Sequence, residues 1–321
     1  MLYQALKIIT LIGIRIFCRK IIINKPELLK MKGPLLLASN HPNSFLDSVI
    51  LDTLFEQPVW SLARGDVFKK PFYIKLLTAL KILPVYRTSE GVENLAENYK
   101  TFDACIDIFR KNGLVTIFSE GKCINEWRLR PLKKGTARLA FKAWEENIPL
   151  KVLPVGINYS SFHRFGKNIF LNFGNSIEKN DFNPGDPDGL QHQSFNHKLQ
   201  RELGELVFEI PKNDKLLQIE KLEIAPMSAQ KILLALPAFL GWLIHLPLYL
   251  PVKKFTWKRT HDNDHFDSVM TGLLLFAYPF YLILLVTVAW LIIQCWWVIF
   301  ILILLPFTAW SYVQLKPQID K

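Results

Sequence analysis

Pro34-Leu35-Leu36-Leu37-Ala38-Ser39-Asn40-His41-Pro42-Asn43-Ser44-Phe45-Leu46-Asp47 is an apolar run that breaks on an imidazole and meets a carboxylate six residues later. A strand over residues 33–39 that stops at His41 and passes into a helix near Ser44 sets the imidazole at the strand's C-terminal mouth, where α/β sheets hold their ligands. Histidine titrates near neutrality, so His41 can take a proton from an alcohol at working pH while Asp47 orients the ring.

Three later segments repeat the pattern of an apolar run ending on chemistry. Leu80-Lys81-Ile82-Leu83-Pro84-Val85-Tyr86-Arg87 ends on a guanidinium, always charged and able to grip phosphate with two hydrogen bonds. Val115-Thr116-Ile117-Phe118-Ser119-Glu120-Gly121-Lys122 breaks at an acid and a glycine, and Lys151-Val152-Leu153-Pro154-Val155-Gly156-Ile157 has the β-branched content of a buried strand. A basic turn, Leu132-Lys133-Lys134-Gly135, leads into a helix running to about Glu146. Candidate strands near 34–39, 58–63, 82–86, 114–118, 152–158 and 168–173 alternate with helical patterns near 44–55, 70–80, 93–111 and 135–147. That alternation predicts an α/β domain whose mixed sheet is largely buried between flanking helices. A turn-rich loop over 181–189 precedes an amphipathic helix from about Ser194 to Val207.

In this order the blocks resemble the glycerolipid acyltransferases, the lysophosphatidate and glycerol-3-phosphate acyltransferases, across roughly residues 30 to 180. The resemblance places Asn40, His41 and Asp47 on the family's catalytic block, Arg87 on its arginine block, Glu120 and Gly121 on its third block and Pro154 on its fourth. It implies acyl transfer from a thioester to a hydroxyl, with His41 as base and Asp47 as its orienting acid. Arg87 and the lysines near Gly121 would hold the acceptor's phosphate, and Glu120 would hydrogen-bond a glycerol hydroxyl. Two departures stand out. Five residues rather than four separate His41 from Asp47, so the loop has to bulge; and Gly121-Lys122-Cys123 replaces the usual Gly-Thr-Arg. The phosphate's charge partner then falls to Lys122, Arg128, Arg130 or Lys133. Backbone amides around Gly121, or at the helix start after His41, are the candidates for stabilising an oxyanion.

The resemblance also implies the partners: a lysophospholipid acceptor, with 1-acyl-sn-glycerol-3-phosphate ahead of glycerol 3-phosphate and a lyso-aminolipid, and acyl-CoA or acyl-carrier protein as donor. No bound cofactor and no metal are expected. A second class of reading is a non-catalytic lipid-binding scaffold on the same fold.

Composition points to a membrane. The 321 residues carry a net charge of +11 with half of them hydrophobic, a balance that suits either nucleic acid or an anionic lipid surface. The placement of the apolar residues decides for lipid and against nucleic acid. Residues 269–312 hold no charged side chain, and a single span needs roughly 20 residues, so a helical hairpin turning near Gln294 is expected. Residues 232–252 are also free of lysine, arginine and acids, but Pro237, His245, Pro247 and Pro251 interrupt them. They can span or enter and return; return keeps the basic stretch Lys253, Lys254, Lys258 and Arg259 on the same side as the catalytic domain, the cytoplasmic one. Residues 1–33 weave Lys7, Arg15, Arg19, Lys20, Lys25, Lys30 and Lys32 through isoleucines and leucines, as an interfacial basic amphipathic helix does. The expected organisation is therefore a membrane-associating segment at 1–33, an acyltransferase domain at 34–227 and a membrane domain at 228–321, in a multi-pass protein. Cys18, Cys105, Cys123 and Cys295 form no close pair and no metal-ligand spacing, which suits a reducing compartment.

Overall fold

The structure is a computed structural model that describes residues 2–86, 95–224 and 229–315. Its centre is strand β2, Leu35–Ser39, in which all five residues are buried. Leu36 and Ala38 point into one apolar cluster and Leu35 and Leu37 into another, so this strand is covered on both faces. Each such leucine contributes about 1.5–3 kcal/mol through burial.

The other strands are β1 (Cys18–Ile23), β3 (Val59–Arg64), β4 (Ile82–Val85), β5 (Leu114–Phe118), β6 (Lys151–Tyr159) and β7 (Lys167–Phe173). They form one seven-stranded sheet in the order β1-β7-β6-β2-β5-β3-β4. Only β6 and β7 pair antiparallel; β2 runs parallel to both β5 and β6. The C-terminal ends of β2, β5 and β6 therefore meet on one edge, with Ser39 opposite Phe118 and Val155. Helices α4 (Leu95–Arg110), α5 (Gly135–Glu145) and α6 (Asp188–Leu206) supply the cluster on one face. Helices α1 (Leu2–Phe17) and α2 (Phe45–Leu54) supply the other. The remaining short helices are α3 (Pro71–Ala79) and α7 (Lys215–Lys221).

The N-terminal segment differs from its expected form. The helix stops at Phe17, and Cys18–Ile23 join the sheet as a parallel edge beside β7. The run Ile21-Ile22-Ile23 is β-branched, and β7 would otherwise present an unpaired row of amides and carbonyls. Helix α1 keeps an amphipathic character: Ile14 and Phe17 are buried, whereas Ile8, Ile9 and Ile12 are exposed.

Three helices after the sheet are long and apolar enough to cross a membrane: residues Ile232–Thr260, containing α8 (Ala235–Thr260), then α9 (Phe266–Ile293), and Trp296–Leu315, containing α10 (Ile301–Leu315). The chain turns at Gln294, which takes a left-handed conformation. The stretch 232–252 is not broken at Pro247 or Pro251. It continues through Pro247 and Pro251 as one helix that also takes up Lys253, Lys254, Lys258 and Arg259. Many apolar side chains here face outward, among them Leu233, Phe276 and Ile292; a surface of that extent marks contact with lipid or partner. Helices α8 and α10 cross at Gly241, where an added Cβ would stand 2.2 Å from the carbonyl oxygen of Thr308. Gly241→Ala therefore has to push the helices apart, and overpacking of this kind costs about 1–3 kcal/mol. The expected outcome is a lower thermal unfolding temperature in detergent, measurable by fluorescence or circular dichroism, whereas Gly189→Ala, in open space, leaves it in place.

Candidate active site

His41 lies two residues past the end of β2, and its Nδ1 lies 2.8 Å from Oδ2 of Asp47. The carboxylate is fully buried, and the His41 side chain keeps 16% of its surface. With Nδ1 committed to Asp47, Nε2 is the ring nitrogen left to take a proton. The ring stacks on Phe118, centroids 4.0 Å apart and planes at 10°, which fixes its tilt.

The extra residue between His41 and Asp47 is absorbed at Ser44, whose φ of 51° and ψ of −138° lie outside helix and strand. That bend lets α2 begin at Phe45 and places Asp47 in its first turn, where the helix dipole favours a negative charge. Oδ2 of Asp47 also accepts the Asn43 amide N–H at 2.8 Å, and Oδ1 accepts the Tyr159 hydroxyl at 2.6 Å. Tyr159 is fully buried at the end of β6. Burial first, and Asp47 next, push its hydroxyl far above the usual tyrosine range, so it stays protonated and donating.

Cys123 takes a part that its position does not announce. Its sulfur accepts the Ser44 amide N–H at 2.9 Å and so pins the bend. Burial, with a smaller push from Asp47, raises its thiol well above the ordinary value, which keeps it neutral and removes it as a nucleophile.

Two expected substrate ligands have other partners. Asn40 is buried and clamps β6: its Oδ1 accepts the Ile157 N–H at 2.8 Å and its Nδ2 donates to the Ile157 carbonyl at 2.9 Å. Glu120 is also buried. It accepts the His41 amide N–H at 2.9 Å on Oε2 and the Arg130 amide N–H at 2.9 Å on Oε1, and the Arg130 guanidinium adds a contact at 3.1 Å. Both oxygens face protein donors, because the loops after β2 and before α5 turn the His41 and Arg130 amides toward this buried side chain, which accepts from both.

The amides considered for an oxyanion are engaged as well. Gly121 donates to Phe118, His41 to Glu120, Asn43 to Asp47, Ser44 to Cys123, and Leu46 and Asp47 to the carbonyls of Asn43 and Ser44. Gly121 itself has a φ of +69°, and a Cβ there would lie 3.0 Å from Cγ of Lys133; this is a turn built for glycine. Lys122, Arg128 and Lys133 are exposed, and the Lys133 amide donates to the Ser119 carbonyl at 2.7 Å, which draws that lysine over Gly121. Arg87 lies outside the described residues. Among the described residues, no group of three His, Cys, Asp or Glu side chains has the grouping to hold a metal ion.

This geometry sits inside a recognisable stretch: residues 20–158 match the family model described as Acyltransferase. Over 158 residues the chain is 28% identical to the 1-acyl-sn-glycerol-3-phosphate acyltransferase of Borreliella burgdorferi, covering 49% of this chain and 58% of that protein. Over 106 residues it is 27% identical to glycerol-3-phosphate O-acyltransferase 1 of Saccharomyces cerevisiae, covering 32% of this chain and 13% of that protein. The chain thus spans less than two thirds of the length of either relative. Among solved structures it is similar to the 1-acyl-sn-glycerophosphate acyltransferase PlsC of Thermotoga maritima, at a TM-score of 0.43 and 16% identity over 62% of this chain and 78% of that one.

Around this pair, sequence reading misses Tyr159 and the part played by Cys123. Tyr159 closes a strand whose residues 152–157 are apolar, and a phenol buried there requires a polar partner; that requirement is the one available signal. Tyr159→Phe removes one of the donors to Asp47 while keeping shape. A hydrogen bond to a charged group is worth about 1.5–3 kcal/mol, so kcat of acyl transfer is expected to fall about tenfold or more with KM little changed in steady-state assays. The raised thiol gives a second expectation. At pH 8, where an ordinary cysteine begins to ionise, iodoacetamide followed by mass spectrometry should label Cys123 far more slowly in the folded than in the unfolded protein.

Proposed function

We propose that this protein transfers a fatty acyl group from an acyl thioester, acyl-CoA or acyl-carrier protein, to the hydroxyl of a lysophospholipid, with 1-acyl-sn-glycerol-3-phosphate as the preferred acceptor. The observation that carries the proposal is the buried Asp47 bonded to His41 at 2.8 Å at the C-terminal end of β2, inside the stretch that matches the acyltransferase family. The preference for a lysophosphatidate draws on the Borreliella relative, which aligns over a longer part of the chain than the yeast one.

In the reaction, Nε2 of His41 takes the proton as the acceptor oxygen attacks the thioester carbon. Asp47 stabilises the imidazolium that forms, helping the transition state more than the ground state. A carbon–oxygen bond forms and the carbon–sulfur bond breaks. The proton then passes from His41 to the departing thiolate, and the imidazole is regenerated without an acyl-enzyme. Lys122, Arg128 and Lys133 form the exposed basic margin available to the acceptor's phosphate, joined by Arg87 in this reading. Asn40 and Glu120 support the loop instead of touching substrate. The three apolar helices would lie in the bilayer, with the catalytic domain on its cytoplasmic face beside the acceptor lipid.

The test is acyl transfer from a labelled thioester to lysophosphatidate, glycerol 3-phosphate and a lyso-aminolipid, with the protein purified in detergent. General-base catalysis is worth about 100- to 10,000-fold, so His41→Ala should lose at least about 100-fold on the preferred acceptor while still extracting from membranes like the parent. Product with another acceptor alone moves the substrate and keeps the chemistry. Absence of His41-dependent product from every acceptor, with either carrier, overturns the proposal in favour of a lipid-binding scaffold.

A further inference from the structure

The turn after α8 and the first residues of α9 reach across to the loop that carries His41. Asp264 accepts the Asn125 amide N–H on Oδ1 at 3.1 Å, and Asn125 Nδ2 donates to the Pro42 carbonyl at 2.7 Å. Four residues on, the Ser268 hydroxyl donates to the Asn43 carbonyl at 2.9 Å and accepts the Leu46 amide N–H at 3.0 Å. Asp267 accepts from Asn43 Nδ2 at 2.9 Å and pairs with Lys167, and both members of that pair are buried. The ammonium of Lys167 lies 5.9 Å from the centre of the Tyr159 ring, the same tyrosine that donates to Asp47.

The local sequence explains why help comes from so far away. Helix α2 starts at a strained residue, and its own N-cap, Ser44, makes no side-chain capping bond. Amides at a helix start look outside the helix for acceptors, and the Leu46 N–H, which also reaches the Asn43 carbonyl within the turn, takes Ser268 of a different helix as its closer one. Asp47 belongs to the same first turn. A shift of that turn carries the carboxylate away from Nδ1, and misplacement of a reacting group by about 1 Å can cost on the order of 100-fold.

We propose that Ser268 and Asp267, at the start of α9, are positioning residues of the acyl-transfer site. They hold Asn43 and the first turn of α2, and through them keep Asp47 in register with His41. The proposal rests on His41 acting as the base in acyl transfer.

Ser268→Ala is the milder variant, since it removes one hydroxyl; Asp267→Asn keeps the shape but leaves the Lys167 charge without its counter-charge. For both, and for Ser268→Thr, kcat and KM are measured for donor and acceptor with His41→Ala alongside. Thermal unfolding in the same detergent gives the folded fraction. Phe280→Ala, on the outward surface of α9, is the control on the same helix. The expected result is a fall in kcat of about 5- to 100-fold per folded molecule with each KM within about twofold, partial recovery in Ser268→Thr, and no change in Phe280→Ala. Unchanged kcat in folded Ser268→Ala overturns the proposal. So does a loss that appears only in KM, or one that disappears once activity is divided by the folded fraction. If Asp267→Asn does not fold, Ser268→Ala decides alone. A readout without turnover separates this inference from the proposed function. Diethyl pyrocarbonate should modify His41 at least threefold faster in Ser268→Ala, measured by mass spectrometry, and equal rates would sink the inference even if the parent transfers no acyl group.

Discussion

A carboxyl group sealed from water needs hydrogen-bond partners on both oxygens, and Asp47 is such a group. Its donors come from three directions: the imidazole of His41, the amide of Asn43 and the hydroxyl of Tyr159. Each ties a different element to the same point. The imidazole ends β2, the amide belongs to the bend before α2, and the phenol ends β6. The parallel pairing of β2 with β6 brings these ends together, and the Asn40 clamp on Ile157 locks the two strands at the level where the loop departs. A buried acid that lost one donor would retain its desolvation penalty with less to offset it, so the arrangement stands or falls as a set.

Glu120 repeats this logic one strand over. It gathers the amides of His41 and Arg130 with the Arg130 guanidinium, so β5 supports the loop from beneath as β6 supports it from the side. The result is a His41–Asp47 pair mounted on interior hydrogen bonds, with positive charge in Lys122, Arg128 and Lys133 left at the exposed margin. Cys123 and Ser44 form the third support, where a neutral thiol suits a backbone N–H in a place too dry for an ion.

How much of this could be read in advance follows from the range of each interaction. The central strands were legible because their apolar runs end on turn residues, and His41 with Asp47 because a base and its acid lie within one loop of each other. The bend at Ser44 could be foreseen as a bulge but not located, since spacing says nothing about which residue turns. The partners of Asn40 and Glu120 are backbone groups, which no side-chain pattern reports. Tyr159, Lys167 and Asp267 are brought together by the sheet and by α9, and only a general rule pointed toward them: an ion or phenol inside an apolar context needs a partner. Strand β1 was hidden because a basic, isoleucine-rich stretch fits an interfacial helix as well as a sheet edge. The prolines of helix α8 leave spanning and returning both open in the sequence; Pro247 and Pro251 are accommodated within a continuous helix, as apolar helices packed on neighbours allow.

The hydrogen bonds from α9 to the His41 loop also order events in time. Asn43 and Asp267 are separated by 224 residues, and a ribosome adds about 5–20 residues per second, so the later partner is made roughly 10 to 45 s after the earlier one. All seven strands end before residue 174, so they can pair while the loop has neither Ser268 nor Asp267 to rest on. The support of the His41 loop therefore waits until the chain has been made through the start of α9.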